Sequence, residues 1–364
     1  MRIKLYKLSI LLIFIQFCTS GCTIDEMNKH WAKLFRRKEY TQEKVRNHIH
    51  DSELYLQANK RSEALRELEA ALKLDPQNVE ALNSVGNIHR ETGNYLKAAK
   101  LYEKACKFGP KEFRPHYNAG LTYYSLAEIS KDFETEGKKY IRQAIDKFTH
   151  ALNLVPNEPG SNCYDVQINL GACHFFISNY AQAEAYFTDA NKNNPSDYKA
   201  PTNLGILYEK MARDYQDYSY IRKALKKYKQ SIELNSNQPN VSVSIADIYI
   251  KANKPKRAIG VLSAAIKHAP HSTLVHQRLG ACYFKLRKLE KALASFQKSI
   301  KYHKENAAAY RGFGLVCMYA YINNKDRTDL YYKAIEAWKL SLRYNPNQKT
   351  LIKLLRKFSK KEIQ

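Results

Sequence analysis

Small and large apolar positions recur along this chain in a fixed order. Small alanines stand at Ala64, Ala98, Ala144, Ala183, Ala224, Ala258, Ala292 and Ala334. Four residues after each comes a large apolar side chain: Leu68, Tyr102, Phe148, Phe187, Tyr228, Leu262, Phe296 and Trp338. Three further on the residue is small again, from Ala71 and Ala105 through to Ser299 and Ser341. Spacings of i, i+4 and i+7 place all three on one face of an α-helix. A stop follows, and in six units it is proline: Pro76, Pro110, Pro156, Pro195, Pro270 and Pro346. Proline cannot continue a helix and restricts the residue before it, so it ends this one. Upstream lies another helix, marked by Gly86, Gly120, Gly171, Gly205, Gly280 and Gly314. A glycine inside a helix costs about 1 kcal/mol relative to alanine, so its recurrence predicts a second helix packed closely against it. The chain is therefore expected to be all-α, built from helix-turn-helix units.

The order Gly, Ala, large apolar, Ala, Pro with a period of 34 residues resembles the tetratricopeptide repeat. Eight copies are placed at 45–78, 79–112, 113–158, 164–197, 198–238, 239–272, 273–306 and 307–348. Ser52 and Ala246 depart from the glycine, and Ser236 and Lys304 from the proline. The resemblance implies an α-solenoid whose first helices line a concave groove. Repeats 3, 5 and 8 carry 12, 7 and 8 extra residues between their helices. About seven residues make two turns, so both helices can lengthen without rotating their apolar faces, which predicts three protruding hairpins. A Pro-Gly turn at 158–163 separates repeats 3 and 4 and reads as a hinge, with Cys163 watched for oxidation and weakly for a disulfide to Cys173. Beyond the repeats, 349–364 is expected to supply a capping helix and tail, with Leu351, Ile352, Leu354, Leu355 and Phe358 sealing the last repeat.

The amino terminus changes the setting. Arg2, Lys4 and Lys7 precede a ten-residue apolar stretch at 8–17. As a helix this is about 15 Å long, half the roughly 30 Å hydrocarbon core, so it reads as a signal peptide (1–21) and not as a spanning helix. Thr19-Ser20-Gly21-Cys22 resembles a bacterial lipobox, with Thr19 where leucine is usual. The resemblance implies acylation of Cys22, a lipid anchor with a basic tether over 22–44, and residence in the bacterial cell envelope. Thr23 favours the outer membrane by analogy with enteric sorting. Within the tether Met27, Trp31, Leu34 and Phe35 fall at helical spacing among Lys29, Lys33, Arg36, Arg37 and Lys38. Such a segment can lie on an anionic surface or cap repeat 1.

Charge and composition bound the function. Lys and Arg number 60 against 35 Asp and Glu, a net charge of +25, and the mean hydropathy is −0.57. That excludes a polytopic membrane protein, and the 44% hydrophobic content excludes wholesale disorder. Export makes nucleic acid a poor partner for the charge; anionic lipids, acidic proteins and cell-wall polymers suit it better.

The groove positions implied by the resemblance give Asn118, Asn169 and Asn203 in three successive repeats, a row able to hold the backbone of an extended peptide. Alternatively these asparagines merely cap or solvate. Flanking positions add Tyr117, Tyr124, Phe175, Phe176, Phe284 and Tyr319 with Lys210, Lys251, Lys285 and Arg311, a mixture suited to peptide anchors unless the aromatics pack between repeats. The family's carboxylate clamp for chaperone tails is disfavoured. Asn83, Asn87, Asn118 and Asn169 are present, but the three cations are missing and Asp165 repels a carboxylate.

No catalytic constellation, metal set or cofactor motif is found; Gly312 and Gly314 sit inside a repeat helix, not in a phosphate loop. His48, His89, His116, His174 and His276 occupy repeat packing positions, and Cys106, Cys173 and Cys282 read as buried thiols. The chain is therefore expected to be a membrane-tethered, non-enzymatic scaffold that holds a peptide or partner protein in an envelope complex. An accessory subunit of a periplasmic solute transporter and a surface adhesin are the alternatives.

Overall fold

A computed structural model describes residues 24–155 and 163–359. The expected signal peptide, Cys22, Thr23, residues 156–162 with most of the expected hinge, and the tail 360–364 lie outside the described residues, as does the side chain of Met27. The chain divides into two compact units, Met1–Asn157 and Glu158–Gln364.

In the first unit the helices are α1 (Ile24–Gln57), α2 (Arg61–Leu74), α3 (Val79–Glu91), α4 (Tyr95–Phe108), α5 (Phe113–Ile129) and α6 (Lys138–Leu154). A π-helical turn, Phe133–Gly137, leads into α6. Consecutive helices pair as α1·α2, α3·α4 and α5·α6, and the first helices of neighbouring repeats also touch (α3·α5). The second unit holds α7 (Cys163–Phe176), α8 (Tyr180–Asn193), α9 (Lys199–Asp214), α10 (Ser219–Leu234), α11 (Pro239–Lys251) and α12 (Pro255–His268). It continues through α13 (Thr273–Lys285), α14 (Leu289–Tyr302), α15 (Ala307–Asn323), α16 (Thr328–Tyr344) and α17 (Lys349–Ser359). Here too the pairs are sequential, with first helices stacked as α7·α9, α11·α13 and α13·α15. No described residue lies in a strand.

The recurrent glycines are explained by the rings opposite them. A Cβ at Gly86, Gly120, Gly171, Gly280 or Gly314 would sit 2.5–2.9 Å from the ring of Tyr102, Phe148, Phe187, Phe296 or Trp338, and Gly205 meets Tyr228 as closely. Each ring belongs to the second helix of the same repeat and is buried. Repeats 1 and 6 replace the glycine by Ser52 and Ala246, and there the opposing side chains are the aliphatic Leu68 and Leu262. Glycine is thus a response to an aromatic partner, and a leucine partner leaves room for a Cβ.

Left-handed residues end first helices in all five short repeats and in one expanded repeat, at Gln216 of repeat 5. In each of the five 34-residue repeats the residue after the first helix's last turn is left-handed: Asn59, Gly93, Ser178, Asn253 and Arg287, with φ between 54° and 77°. The next amide donates back across the turn, as in Lys254 N–H to the Tyr249 carbonyl at 2.8 Å. This is the Schellman arrangement that satisfies carbonyls at a helix C-terminus. In repeats 3, 5 and 8 the extra residues lengthen both helices to 16 or 17 residues, against 13 or 14 in the short second-unit repeats.

A second device is a serine latched by an amide seven residues on. Gln238 Nε2 donates to the Ser231 carbonyl at 2.9 Å and to the Asn235 carbonyl at 2.8 Å. Gln348 repeats the pattern on Ser341 and Asn345 at 3.0 and 2.9 Å, and Asn306 bonds Ser299 Oγ at 3.1 Å. In repeats 5 and 8 carbonyls at the end of the second helix are thus paired while buried or half-buried, which avoids a penalty of about 1–3 kcal/mol per unsatisfied group.

The ends differ from each other. Leu351 of α17 is buried, Phe358 lies 6.0 Å from the Trp338 ring, and the Phe358 carbonyl accepts from the Tyr331 hydroxyl at 2.8 Å. At the other end α1 runs unbroken through the expected tether boundary at residue 44. Its Leu34 and Phe35 are 39% and 57% exposed, so this stretch does not cap repeat 1. No helix among the described residues is long and apolar enough to cross a membrane.

Candidate functional site

First helices of neighbouring repeats touch as α3·α5, α7·α9, α11·α13 and α13·α15, and the expected groove residues lie on these helices. In the first unit Asn118 is half-buried. Its Nδ2 donates to Asn83 Oδ1 at 2.9 Å and Asn87 Oδ1 at 3.2 Å, and Asn87 Oδ1 also accepts from the Tyr102 hydroxyl at 2.7 Å. Asn118 therefore ties repeat 3 to repeat 2. Tyr117 is stacked on Phe113 at 5.5 Å and edge-on to Phe148 at 5.8 Å, so much of its ring is committed to packing. Tyr124 is half-buried on the same helix.

In the second unit Asn169 and Asn203 stand half-buried on the contacting helices α7 and α9. Phe175 packs onto the unit's largest core cluster and lies 6.3 Å from Tyr180, so it is a packing residue; Phe176 beside it is half-buried. Phe284 and Tyr319 meet edge to face at 5.5 Å, and Arg287 lies over the Tyr319 ring at 4.4 Å. Of the expected cations, Lys210 is paired to Asp214 at 2.9 Å, Lys285 donates to the Ile250 carbonyl at 3.3 Å, and Arg311 holds Gln348 Oε1 at 3.2 Å. Lys251 is exposed.

The histidines and cysteines are structural in this arrangement. His116 and His276 are buried, and burial holds both below the usual histidine range. His276 Nε2 lies 2.9 Å from the Pro270 carbonyl, and His48 pairs with Glu67 at 2.6 Å. Burial pushes the Cys106 and Cys282 thiols up to about 11 and Cys317 to about 12. Cys163, expected to be oxidation-prone, is raised as well, by burial and then by Asp189, and so keeps its proton. The disulfide suggested between Cys163 and Cys173 is absent, both being thiols. They sit ten residues apart on one helix, about 15 Å along its axis, beyond the reach of a bridge.

Arg287 was missed in the sequence because only its stacking on Tyr319, from the next repeat, singles it out. A further group of second-unit cations surrounds a cavity of about 620 Å³ lined by Lys254, Lys256, Arg257 and Lys285. Their signal in the sequence is the absence of any Asp or Glu between Ile248 and Leu289.

Tetratricopeptide repeat family models match residues 52–113 and 250–314. The chain carries tetratricopeptide repeats in both units. Two solved tetratricopeptide proteins share its fold. One, from Parabacteroides merdae, is 18% identical with a TM-score of 0.51 and covers 75% of this chain and 99% of its own. The other, the C-terminal part of a repeat protein from Cytophaga hutchinsonii, is 15% identical with a TM-score of 0.54, covering 74% and 98%. Among curated relatives, human Protein O-mannosyl-transferase TMTC3 is 25% identical over 52% of this chain and 20% of its own length. The Anaphase-promoting complex subunit CDC16 of Saccharomyces cerevisiae is 22% identical over 68% and 32%. The Hsp70-Hsp90 organizing protein 1 of Glycine max is 22% identical over 60% and 40%. The chain thus spans between a fifth and two fifths of these proteins. The tetratricopeptide repeat serves protein–protein interaction, and such proteins bind protein or peptide partners.

Proposed function

We propose that this tetratricopeptide repeat protein is a lipid-anchored scaffold of a bacterial envelope complex. In this reading it holds an extended peptide or a partner's helix along its first-helix faces. One observation carries it: in each unit the stacked first helices present half-buried amides and aromatics side by side, as with Asn169 and Asn203 on α7 and α9. Carboxamides both donate and accept, so they bind a peptide backbone whatever its side chains. The second helices have their large side chains buried against the glycines, which leaves them to structure. The chain is read as non-catalytic, in keeping with four buried cysteines held as neutral thiols, poor nucleophiles in that form.

The anchor rests on the leader and the Thr19-Ser20-Gly21-Cys22 sequence. Two or more acyl chains hold a protein firmly where one binds only marginally. Metabolic labelling with palmitate is expected to mark the wild type, and Cys22→Ala to abolish both the label and membrane fractionation. A Cys22→Ala protein that stays in the membrane fraction contradicts the anchor.

For the groove, Asn203→Ala is the cleanest single test, because its side chain makes no hydrogen bond among the described residues. Replacing Asn118, Asn169 and Asn203 together removes three hydrogen-bonding sites at about 0.5–1.5 kcal/mol each, so partner affinity is expected to fall roughly tenfold or more. Far-ultraviolet circular dichroism should stay unchanged. Undiminished partner capture by the triple variant moves the site off the first helices.

A further inference from the structure

The second unit has a surface that the groove reading touches only at Lys251 and Lys285. All helical hairpins of a stack reverse direction at one edge, and in repeats 6 and 7 that edge is strongly basic. Lys254, Lys256, Arg257 and Lys285 line a cavity of about 620 Å³ there, with Asn253, Pro255 and Leu286 completing its wall. None of the four cations is in an ion pair among the described residues. Lys251, Arg287 and Lys288 are exposed on the same two turns. The acid closest in sequence before this stretch, Asp247, is held by Arg278 in a two-pronged pair at 2.7 and 3.1 Å, and Glu290 is the first acid after it. A concentration of like charge that the fold does not neutralise is unfavourable by itself and gains from an anionic partner.

The two flanking repeats define what can enter. Repeats 5 and 8 have helices two to four residues longer than those of repeats 6 and 7, so their hairpins rise by about 3–6 Å on either side of the basic floor. Both tips carry aromatics. In repeat 5 Tyr215 and Tyr218 are 57% and 82% exposed. In repeat 8 Lys325 lies over Tyr321 at 4.4 Å. A flat bilayer would meet these raised tips before its headgroups reached the floor, whereas a single peptide strand fits between them. Tyrosine beside cationic side chains is also the composition of protein-binding hot spots.

We propose that the turn edge of repeats 6 and 7 is a docking site for an acidic segment of a protein partner, with its carboxylates seated among Lys254, Lys256, Arg257 and Lys285. The site borders the first-helix face at Lys285, the last residue of α13, but does not depend on the peptide-groove reading. The two can be occupied by different stretches of one partner, the acidic stretch setting orientation and association rate through its charge.

The test uses the full chain and a fluorescein-labelled dodecapeptide of alternating Asp and Glu, followed by fluorescence anisotropy. The wild type is expected to bind, with affinity falling as salt is raised. The Lys254→Glu/Lys256→Glu/Arg257→Glu variant should lose at least tenfold in affinity. A control with the same change in charge on exposed lysines of α4, Lys97→Glu/Lys100→Glu/Lys104→Glu, should lose less than twofold. Asn203→Ala, which tests the groove, should leave this binding unchanged. Equal losses in the two triple variants, or no binding by the wild type, would overturn the proposal. So would phosphatidylglycerol vesicles or duplex DNA binding more tightly than the peptide through the same three residues, since either would put a lipid or nucleic-acid phosphate in its place.

Discussion

Replacing Trp338 by alanine is expected to lower the stability of the second unit by about 3–5 kcal/mol, the cost of removing a buried aromatic and leaving a cavity. Trp338 is 1% exposed and closes the last repeat from three sides. Its ring presses on Gly314, packs with Ile335, Cys317 and Leu351, and faces Phe358 of the capping helix. Loss of the indole therefore loosens α17 as well as repeat 8. Trp338→Phe should cost much less, because the buried indole N–H has no hydrogen-bond partner and phenylalanine removes that orphan donor. Urea unfolding followed by circular dichroism checks both. Nearly equal midpoints for Trp338→Ala and the wild type would mean that the last repeat is not sealed as described.

The second large effect is a coupling. Gly120→Val is expected to destabilise the first unit by about 1–3 kcal/mol, because its Cβ would fall 2.7 Å from the Phe148 ring and one of the two must move. The same substitution in a Phe148→Leu background should cost clearly less, since Leu68 and Leu262 face Ser52 and Ala246 in repeats 1 and 6. A double-mutant cycle should return an interaction of about 0.5–3 kcal/mol. A coupling near zero would show that the glycine answers to helix geometry and not to the ring.

Those two predictions come from positions that the sequence displays openly. The glycine, the ring four residues after the alanine and the proline stop each have one physical cause acting inside one repeat, so periodicity reveals them. The long hairpins were legible for the same reason: added turns keep the apolar stripe in phase. Other features depend on what a neighbouring repeat supplies, and there single-position reading fails. Asn118 looks like a groove residue, yet it bonds Asn83 and Asn87 of the preceding repeat. Arg311 looks available, yet it orients Gln348, whose latch on Ser341 resembles an ordinary small-residue substitution in the sequence. Phe175 looks like an anchor, yet it lies against the core. The basic edge was overlooked because its cations come from two turns about thirty residues apart and are joined only by the fold.

The central claim, that partners are held on the first-helix face, is tested most directly by photocrosslinking from single positions in living cells. Benzoylphenylalanine would replace Asn203 on α9 or, separately, the exposed Lys298 on the second helix α14. The account predicts a discrete adduct of higher mass from position 203 and none from position 298. An adduct from position 298 with none from position 203 would contradict it.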